Sequence, residues 1–163
     1  MKSKLIVTLV FFLNCSVAFS QEFKQIKKSV TNFNTIGKFE KSIETIISFV
    51  NSDKASPYEK YQAYILKADT HKALFDYDNT FKSLELALKE GMNSDKKEEV
   101  IENIKAEKAF AYFDIQKYKE SALLMNELKA NNYKNLDLET TSYIVMQDGY
   151  LDFLNGNLAT AEN

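Results

Sequence analysis

A short sequence pattern recurs four times along this chain at nearly equal intervals. Each copy has a short polar turn, an aromatic or large apolar residue, two mostly polar residues and then a small residue that opens a new apolar stretch. The large residues are Phe39, Tyr77, Tyr118 and Leu158, so the intervals are 38, 41 and 40 residues. A fixed period of about 20 to 50 residues is typical of proteins built from stacked copies of one structural unit.

The segments on either side of each turn have the spacing of amphipathic helices. A small or short residue lies before each turn, and a larger one follows it three positions later; the small members are Val30, Ala68, Ala109 and Gly149. After the turn, apolar residues such as Phe81, Leu84 and Leu88 recur at helical spacing. Each unit is therefore predicted to be a helical hairpin. The predicted helices cover about 22–35, 38–51, 57–74, 78–90, 95–115, 118–130, 138–154 and 157 onward.

Local signals place several helix ends. Ser56, Pro57 and Glu59 predict a capping-box start with proline in the first turn. Gly91 is predicted to end its helix in a left-handed conformation. Ser94 is predicted to cap the helix that follows. Only four glycines and one proline occur in 163 residues, which disfavours a many-stranded sandwich or barrel.

These features resemble a run of tetratricopeptide (TPR) repeats of the long-period kind, from about Glu22 to Asn163. The resemblance lies in the small residue of the first helix, the aromatic residue after the turn, and a second small residue two to three positions further on. These second small residues are Ser42, Thr80, Ser121 and Ala161. The resemblance implies an all-α fold, a right-handed α-solenoid of stacked antiparallel helical hairpins with about 3.5 repeats.

In related repeat proteins, the concave groove lined by the first helices binds extended peptides or partner helices. The resemblance therefore implies a scaffold for protein–protein binding. Transfer of the inner-face register assigns Gln62, Ile65, Asp69, Lys72, Phe110, Phe113, Tyr150 and Phe153 to this groove. Aromatic residues at helical spacing usually belong to a core, and packing is the favoured interpretation for Phe110 and Phe113.

The first 20 residues have the composition of a secretory signal peptide. Lys2 and Lys4 precede an apolar run, and small residues follow, which predicts cleavage between Ser20 and Gln21. The repeat domain would then be 21–163, in the periplasm or secreted. The alternatives are a retained membrane anchor, which the short apolar run disfavours, and lipidation at Cys15.

Charge and cysteine content narrow the function further. All 21 basic residues are lysines, and the net charge is −2, so direct nucleic-acid binding by this segment is not expected. Cys15 is the only cysteine. A chain cleaved after residue 20 therefore has no disulfide and no cysteine-based zinc site.

No motif in the sequence indicates catalysis, and the protein is predicted not to be an enzyme and to need no cofactor or metal. His71, the only histidine, occupies a position where a packing role is expected. Asp76, Asp78 and Asn79 resemble the start of a calcium loop but lack its later glycine and glutamate, which favours a turn and a helix cap. The charges from Lys96 to Lys108 predict a solvated helix face.

Three further hypotheses remain at this stage. Similar arrays form the extracytoplasmic sensory part of some bacterial signalling proteins and transcription regulators, which makes that role the alternative function. A carbohydrate-binding protein or enzyme would need a polar pocket with aromatic platforms, for which Tyr143, Tyr150 and Phe153 are candidates. Only Glu162 and Asn163 follow Ala161, so we expect the natural chain to continue, in which case further sequence could tether it to a membrane. This segment alone is then expected to self-associate through an uncapped C-terminus.

Overall fold

The computed structural model describes residues 21–154 and 156, and this part of the chain is all-helical. Its seven helices are α1 (residues 21–35 of the described chain), α2 (Phe39–Val50), α3 (Pro57–Ala73), α4 (Tyr77–Gly91), α5 (Lys97–Asp114), α6 (Tyr118–Ala130) and α7 (Leu138–Leu154). No strand occurs among the described residues. The predicted signal peptide, which ends at Ser20, lies outside the described residues. The predicted helix from 157 onward also lies outside them.

The predicted turns have the same backbone conformation in every copy. The residue two positions before the large residue has a positive φ: +70° at Gly37, +58° at Phe75, +61° at Gln116 and +75° at Gly156. In the first three copies the next residue donates its backbone N–H to a carbonyl five residues earlier, at 2.8 to 2.9 Å. This bond satisfies a carbonyl at the end of the preceding helix. Each of the first three turns therefore ends one helix and leads directly into its partner.

A second repeated contact closes each hairpin. The small hydroxyl residue of the second helix donates to the backbone carbonyl of the small residue in the first helix. These bonds join Ser42 to Val30, Thr80 to Ala68 and Ser121 to Ala109, at 3.3, 3.5 and 2.9 Å. All three hydroxyl residues are buried. The small residues predicted from the period are therefore the points of close helix approach within α1–α2, α3–α4 and α5–α6.

Three apolar cores follow one another along the chain, and each uses three successive helices. The first core lies between α1, α2 and α3, the second between α3, α4 and α5, and the third between α5, α6 and α7. Helices α3 and α5 each contribute to two cores, so every hairpin also buries apolar surface of its neighbour. Ile46, Leu84 and Leu128 are central residues of the three cores and are almost completely buried.

The first helices of the hairpins lie side by side. Tyr58 on α3 is hydrogen-bonded to Glu99 on α5, and Lys72 on α3 lies 3.4 Å from Glu107 further along α5. The two pairs advance in the same direction along both helices, so α3 and α5 run parallel. Helix α7 also contacts α5, through the ring pair Phe110–Tyr143 at 5.0 Å. Helix α5 therefore contacts both α3 and α7.

Three local predictions were wrong. Gly91 is the last residue of α4 and has no positive φ; a Cβ there would lie 2.5 Å from Val100 Cγ1 on α5. Ser94 does not cap α5, whose N-cap is Lys96 without a side-chain hydrogen bond. Glu102, predicted on a solvated face, is buried and accepts a 2.9 Å bond from the Asn135 N–H.

The capping box at α3 is confirmed. The Ser56 hydroxyl accepts from the Glu59 N–H at 3.3 Å, and the Glu59 carboxylate accepts from the Ser56 N–H at 2.9 Å. Among the described residues, no helix has the length and apolar character needed to cross a bilayer.

Candidate functional site on the first helices

The structure places the eight predicted groove residues in different environments. Gln62, Ile65, Asp69, Lys72 and Phe113 are half-buried, whereas Tyr150 and Phe153 are exposed. Phe110 is only 8% exposed and belongs to the third core, in agreement with the packing interpretation. Phe113 packs against the same core, as the packing interpretation also predicted, and Ile65 packs against the second core. The remaining residues are polar side chains on α3 and exposed aromatic side chains on α7.

A charged cluster joins α3 to α5. The Lys72 ammonium lies 3.7 Å from Asp69 Oδ1 on its own helix and 3.4 Å from Glu107 Oε2 on α5. Asp69 is three residues from Lys72, which places the two side chains on one face of α3. Glu107 reaches the same point because α3 and α5 lie parallel. The Lys72 ammonium thus forms ion pairs with two carboxylates.

The pKa values in this cluster are shifted by burial and by the shared ammonium. Burial raises the pKa of Glu107 and of Asp69, and the proximity of Lys72 only partly offsets this effect. Burial lowers the pKa of Lys72, but Glu107 and Asp69 outweigh it and the pKa is raised. Burial also raises the pKa of Asp114, which lies on α5 two turns after Glu107. Lys72 is therefore the cation that Asp69, Glu107 and Asp114 share.

An open pocket of about 480 Å³ lies beside this cluster, between the C-terminal end of α5 and α7. Four aromatic rings dominate its wall, and Asp114 is the one acidic residue among the described residues that line it. The lining residues are Phe113, Asp114, Gln116, Tyr118, Tyr143, Met146, Gln147 and Tyr150. We call this site the aromatic pocket.

Contacts among the rings fix the shape of the aromatic pocket. Phe113 packs against Tyr118 with ring centroids 5.5 Å apart and against Tyr150 at 5.7 Å. Tyr143 packs edge-on against Phe110 at 5.0 Å. Tyr143 and Tyr150 nevertheless remain 47% exposed each. Their rings are held by the core and still present aromatic surface to a ligand.

The aromatic pocket also contains an unsatisfied polar group. Gln147 on α7 lines the pocket and is 3% exposed, and its buried Oε1 accepts no hydrogen bond within the described chain. A buried acceptor without a partner costs about 1–3 kcal/mol, so native proteins usually pair such atoms. The Gln147 side chain is thus a buried polar group in the wall of the aromatic pocket that has no partner within the described residues.

A second depression, of about 720 Å³, lies between α1 and α3. Gln62, another predicted groove residue, lines it together with Tyr58 and with Lys24 and Lys27 of α1. Lys96 lies 4.3 Å from the centroid of the Tyr58 ring. The lining also includes Lys54, Asp53 and Glu59, so this depression carries charges of both signs.

Sequence reasoning missed Glu107, Asp114 and Gln147. Glu107, Phe110 and Asp114 are spaced i, i+3 and i+7, so one face of α5 carries both acids next to the predicted Phe110 and Phe113. The spacing could therefore have predicted that the two acids share a helix face with these rings. No sequence pattern indicated Gln147, because the absence of a hydrogen-bond partner for its side chain depends on how α7 packs against α5.

The remaining candidate residues have structural roles. His71 is buried, and its Nδ1 lies 3.4 Å from Asp76 Oδ2, a partner in the turn that local spacing did not reveal. Burial lowers the pKa of His71, and Asp76 offsets part of that effect. Asp76 Oδ1 accepts from the Asn79 N–H at 3.2 Å and caps α4, which confirms the turn-and-cap interpretation. Within residues 21–154, no group of three acidic, histidine or cysteine side chains is arranged to hold a metal ion.

Comparison of the chain with protein-family models, curated proteins and solved structures finds no significant match.

Proposed function

We propose that residues 21–163 form a TPR-like scaffold that binds a protein partner, as a peptide or a helix, through the concave face of a right-handed α-solenoid. The repeated turns and the repeated hydroxyl-to-carbonyl bonds support this architecture, because they recur with the same period as the sequence pattern. Stacked units of one kind generate a superhelix whose first helices line one side.

The observation that carries the binding function is the aromatic pocket next to the charged cluster. Tyr143, Met146, Tyr150 and Phe153 leave large apolar side chains exposed on one helix, α7. Contiguous exposed apolar surface rimmed by polar groups is typical of interaction sites. Aromatic residues are enriched at the centres of such sites.

A peptide-display selection on the full chain tests this function. Selected peptides should bind the wild-type chain and lose at least about tenfold in affinity to Tyr150→Ser, because a central aromatic contact contributes at least about 1.4 kcal/mol. Leu123→Ser is the matched control, since Leu123 is an exposed apolar residue on the second helix α6. Peptides that ignore Tyr150→Ser and are lost with Leu123→Ser would place binding on the other face and overturn the proposal.

We further propose that the scaffold is exported and that residues 1–20 are removed. Intact-mass analysis of the exported protein should give a chain that begins at Gln21. A chain that retains Met1, or one that begins at a lipidated Cys15, would contradict cleavage after Ser20.

A further inference from the structure

We propose that the aromatic pocket binds a lysine or arginine side chain presented by the partner polypeptide. This inference rests on the proposed function for its ligand, and it specifies the chemistry of the partner: a basic residue that enters between α5 and α7.

The wall of the aromatic pocket suits a cation. The faces of aromatic rings attract ammonium and guanidinium groups, with tyrosine among the effective rings. Tyr143 and Tyr150 are fixed by ring contacts to Phe110 and Phe113, so little side-chain entropy is lost when a ligand stacks on them. None of the eight described lining residues is basic.

Another part of the same chain already has a lysine ammonium in contact with both a tyrosine ring and a carboxylate. Lys96 lies 4.3 Å from the centre of the Tyr58 ring and 3.3 Å from Glu99 Oε2, so one ammonium contacts an aromatic face and a carboxylate together. The aromatic pocket has four rings and the carboxylate of Asp114, which also interacts with the Tyr77 hydroxyl and with the Lys72 ammonium of the charged cluster. A ligand would supply the ammonium.

Charge and hydrogen-bonding capacity favour the same ligand. Asp114 lies on the pocket wall, and Asp69 and Glu107 share a single lysine nearby. A carboxylate ligand would meet like charge there. Ammonium and guanidinium groups carry donors and no acceptor, which matches the acceptor-only carboxylate of Asp114 on the pocket wall.

Short blocked tripeptides test the site directly on the full chain. The probes are acetyl-Gly-X-Gly-amide with lysine, arginine, norleucine or glutamate as X, titrated against the NMR signals of Tyr143, Met146 and Tyr150. The lysine and arginine probes should shift these signals saturably, with norleucine about tenfold weaker because it lacks the charge. The glutamate probe should not bind.

Two variants, each of which removes one negative charge, test whether Asp114 causes the preference for a cationic probe. Asp114→Asn should remove most of the preference for lysine over norleucine, whereas Glu85→Gln, an exposed position on α4, should leave it unchanged. Equal shifts with lysine and norleucine, no saturable shift with any probe, or lysine shifts scattered over other acidic surfaces would each overturn the inference.

The outcomes also separate this inference from the proposed function. Peptides that bind the first-helix surface with a neutral residue in the aromatic pocket would leave the scaffold function standing and overturn the cationic site. Tripeptide binding without any selected peptide on that surface would keep the site and overturn the scaffold function.

Discussion

Gly91 shows how one residue sets the contact between two hairpins. It is buried at the end of α4, in ordinary helical conformation, and Val100 of α5 packs directly over its Cα. A Cβ would lie 2.5 and 2.8 Å from the two Val100 methyl groups. The glycine is therefore needed for space, and a larger side chain would force α4 and α5 apart.

We expect Gly91→Ala to destabilise the protein by about 1–3 kcal/mol, because overpacking outweighs the roughly 1 kcal/mol by which alanine favours a helix. Urea unfolding measures the change. In a Val100→Ala background the cost should fall or reverse sign, since the clashing methyl groups are gone. An equal cost in both backgrounds would mean that Val100 is not the obstacle.

The shifted pKa values of the charged cluster predict how the stability of the protein changes with pH. The pKa of Glu107 is raised in the folded chain, so the folded state binds the proton more tightly than the unfolded state does. The stabilisation from this proton is complete below the unfolded pKa and is lost as pH rises through the folded pKa. Glu107→Gln imitates the protonated form, and Lys72 keeps Asp69 as a partner.

Glu107→Gln should therefore be as stable as the wild type at pH 8, or more stable by up to about 1 kcal/mol. The difference should shrink toward zero at about pH 4, below the raised pKa at which the folded wild-type carboxyl gains its proton. Urea midpoints at both pH values measure it. Lys72→Met is the contrasting variant and should cost about 1–3 kcal/mol at pH 8, because it leaves the carboxylates without a cation. A comparable loss from Glu107→Gln at pH 8 would contradict the shifted pKa.

At the scale of elements, the repeated turns share a positive φ at one position, although different residue types occupy that position. Gly37 takes a positive φ without strain, but the equivalent positions hold Phe75 and Gln116. A left-handed conformation costs a residue with a Cβ about 1–2 kcal/mol. The hydrogen bonds that join the two helices hold these turns in place.

Phe75→Gly should stabilise the protein by about 0.5–1 kcal/mol, since relief of strain exceeds the added freedom of the unfolded chain. The Phe75 side chain is 81% exposed, so few contacts are lost. The neighbouring Leu74→Gly is the control and should destabilise, because Leu74 has φ −89° and gains nothing from glycine. Thermal unfolding distinguishes the two; a loss of stability in Phe75→Gly would show that the ring contributes more than the strain costs.

The helices were predictable because their signals are local and periodic. The small residues Ala68 and Ala109, and their partners Thr80 and Ser121, were found from spacing alone, and the structure joins each pair by a hydrogen bond. The role of Gly91 was mistaken because a glycine after a helical run fits a left-handed stop equally well, and only the approach of Val100 distinguishes the two.

The candidate site was predictable only in part. Register placed Asp69 and Lys72 together because both lie on α3, and it found Phe113 and Tyr150. Lys72 and Glu107 are 35 residues apart in sequence, and their contact depends on how α3 aligns with α5. Local spacing carries no information on that alignment, so the charged cluster emerged only from the packing of α3 on α5.

At the scale of the molecule, three cores in chain order suggest how stability is distributed. The first core depends on α1, α2 and α3, and the third on α5, α6 and α7, so they have no helix in common. In a stacked array each unit is stabilised by its neighbours, and a local defect weakens nearby units most. A closed bundle with one shared core would instead lose stability throughout.

Leu128→Ala removes a fully buried side chain from the third core and should cost about 2–5 kcal/mol there. Native-state hydrogen exchange should show this loss in α6 and α7, while the opening free energies of α1 and α2 stay within about 0.5 kcal/mol of the wild type. Ile46→Ala in the first core is the reciprocal variant and should weaken α1 and α2 with little effect on α7. If both variants lowered protection equally in all seven described helices, the chain would unfold as one cooperative body, and the stacked arrangement on which the proposed binding face depends would be wrong.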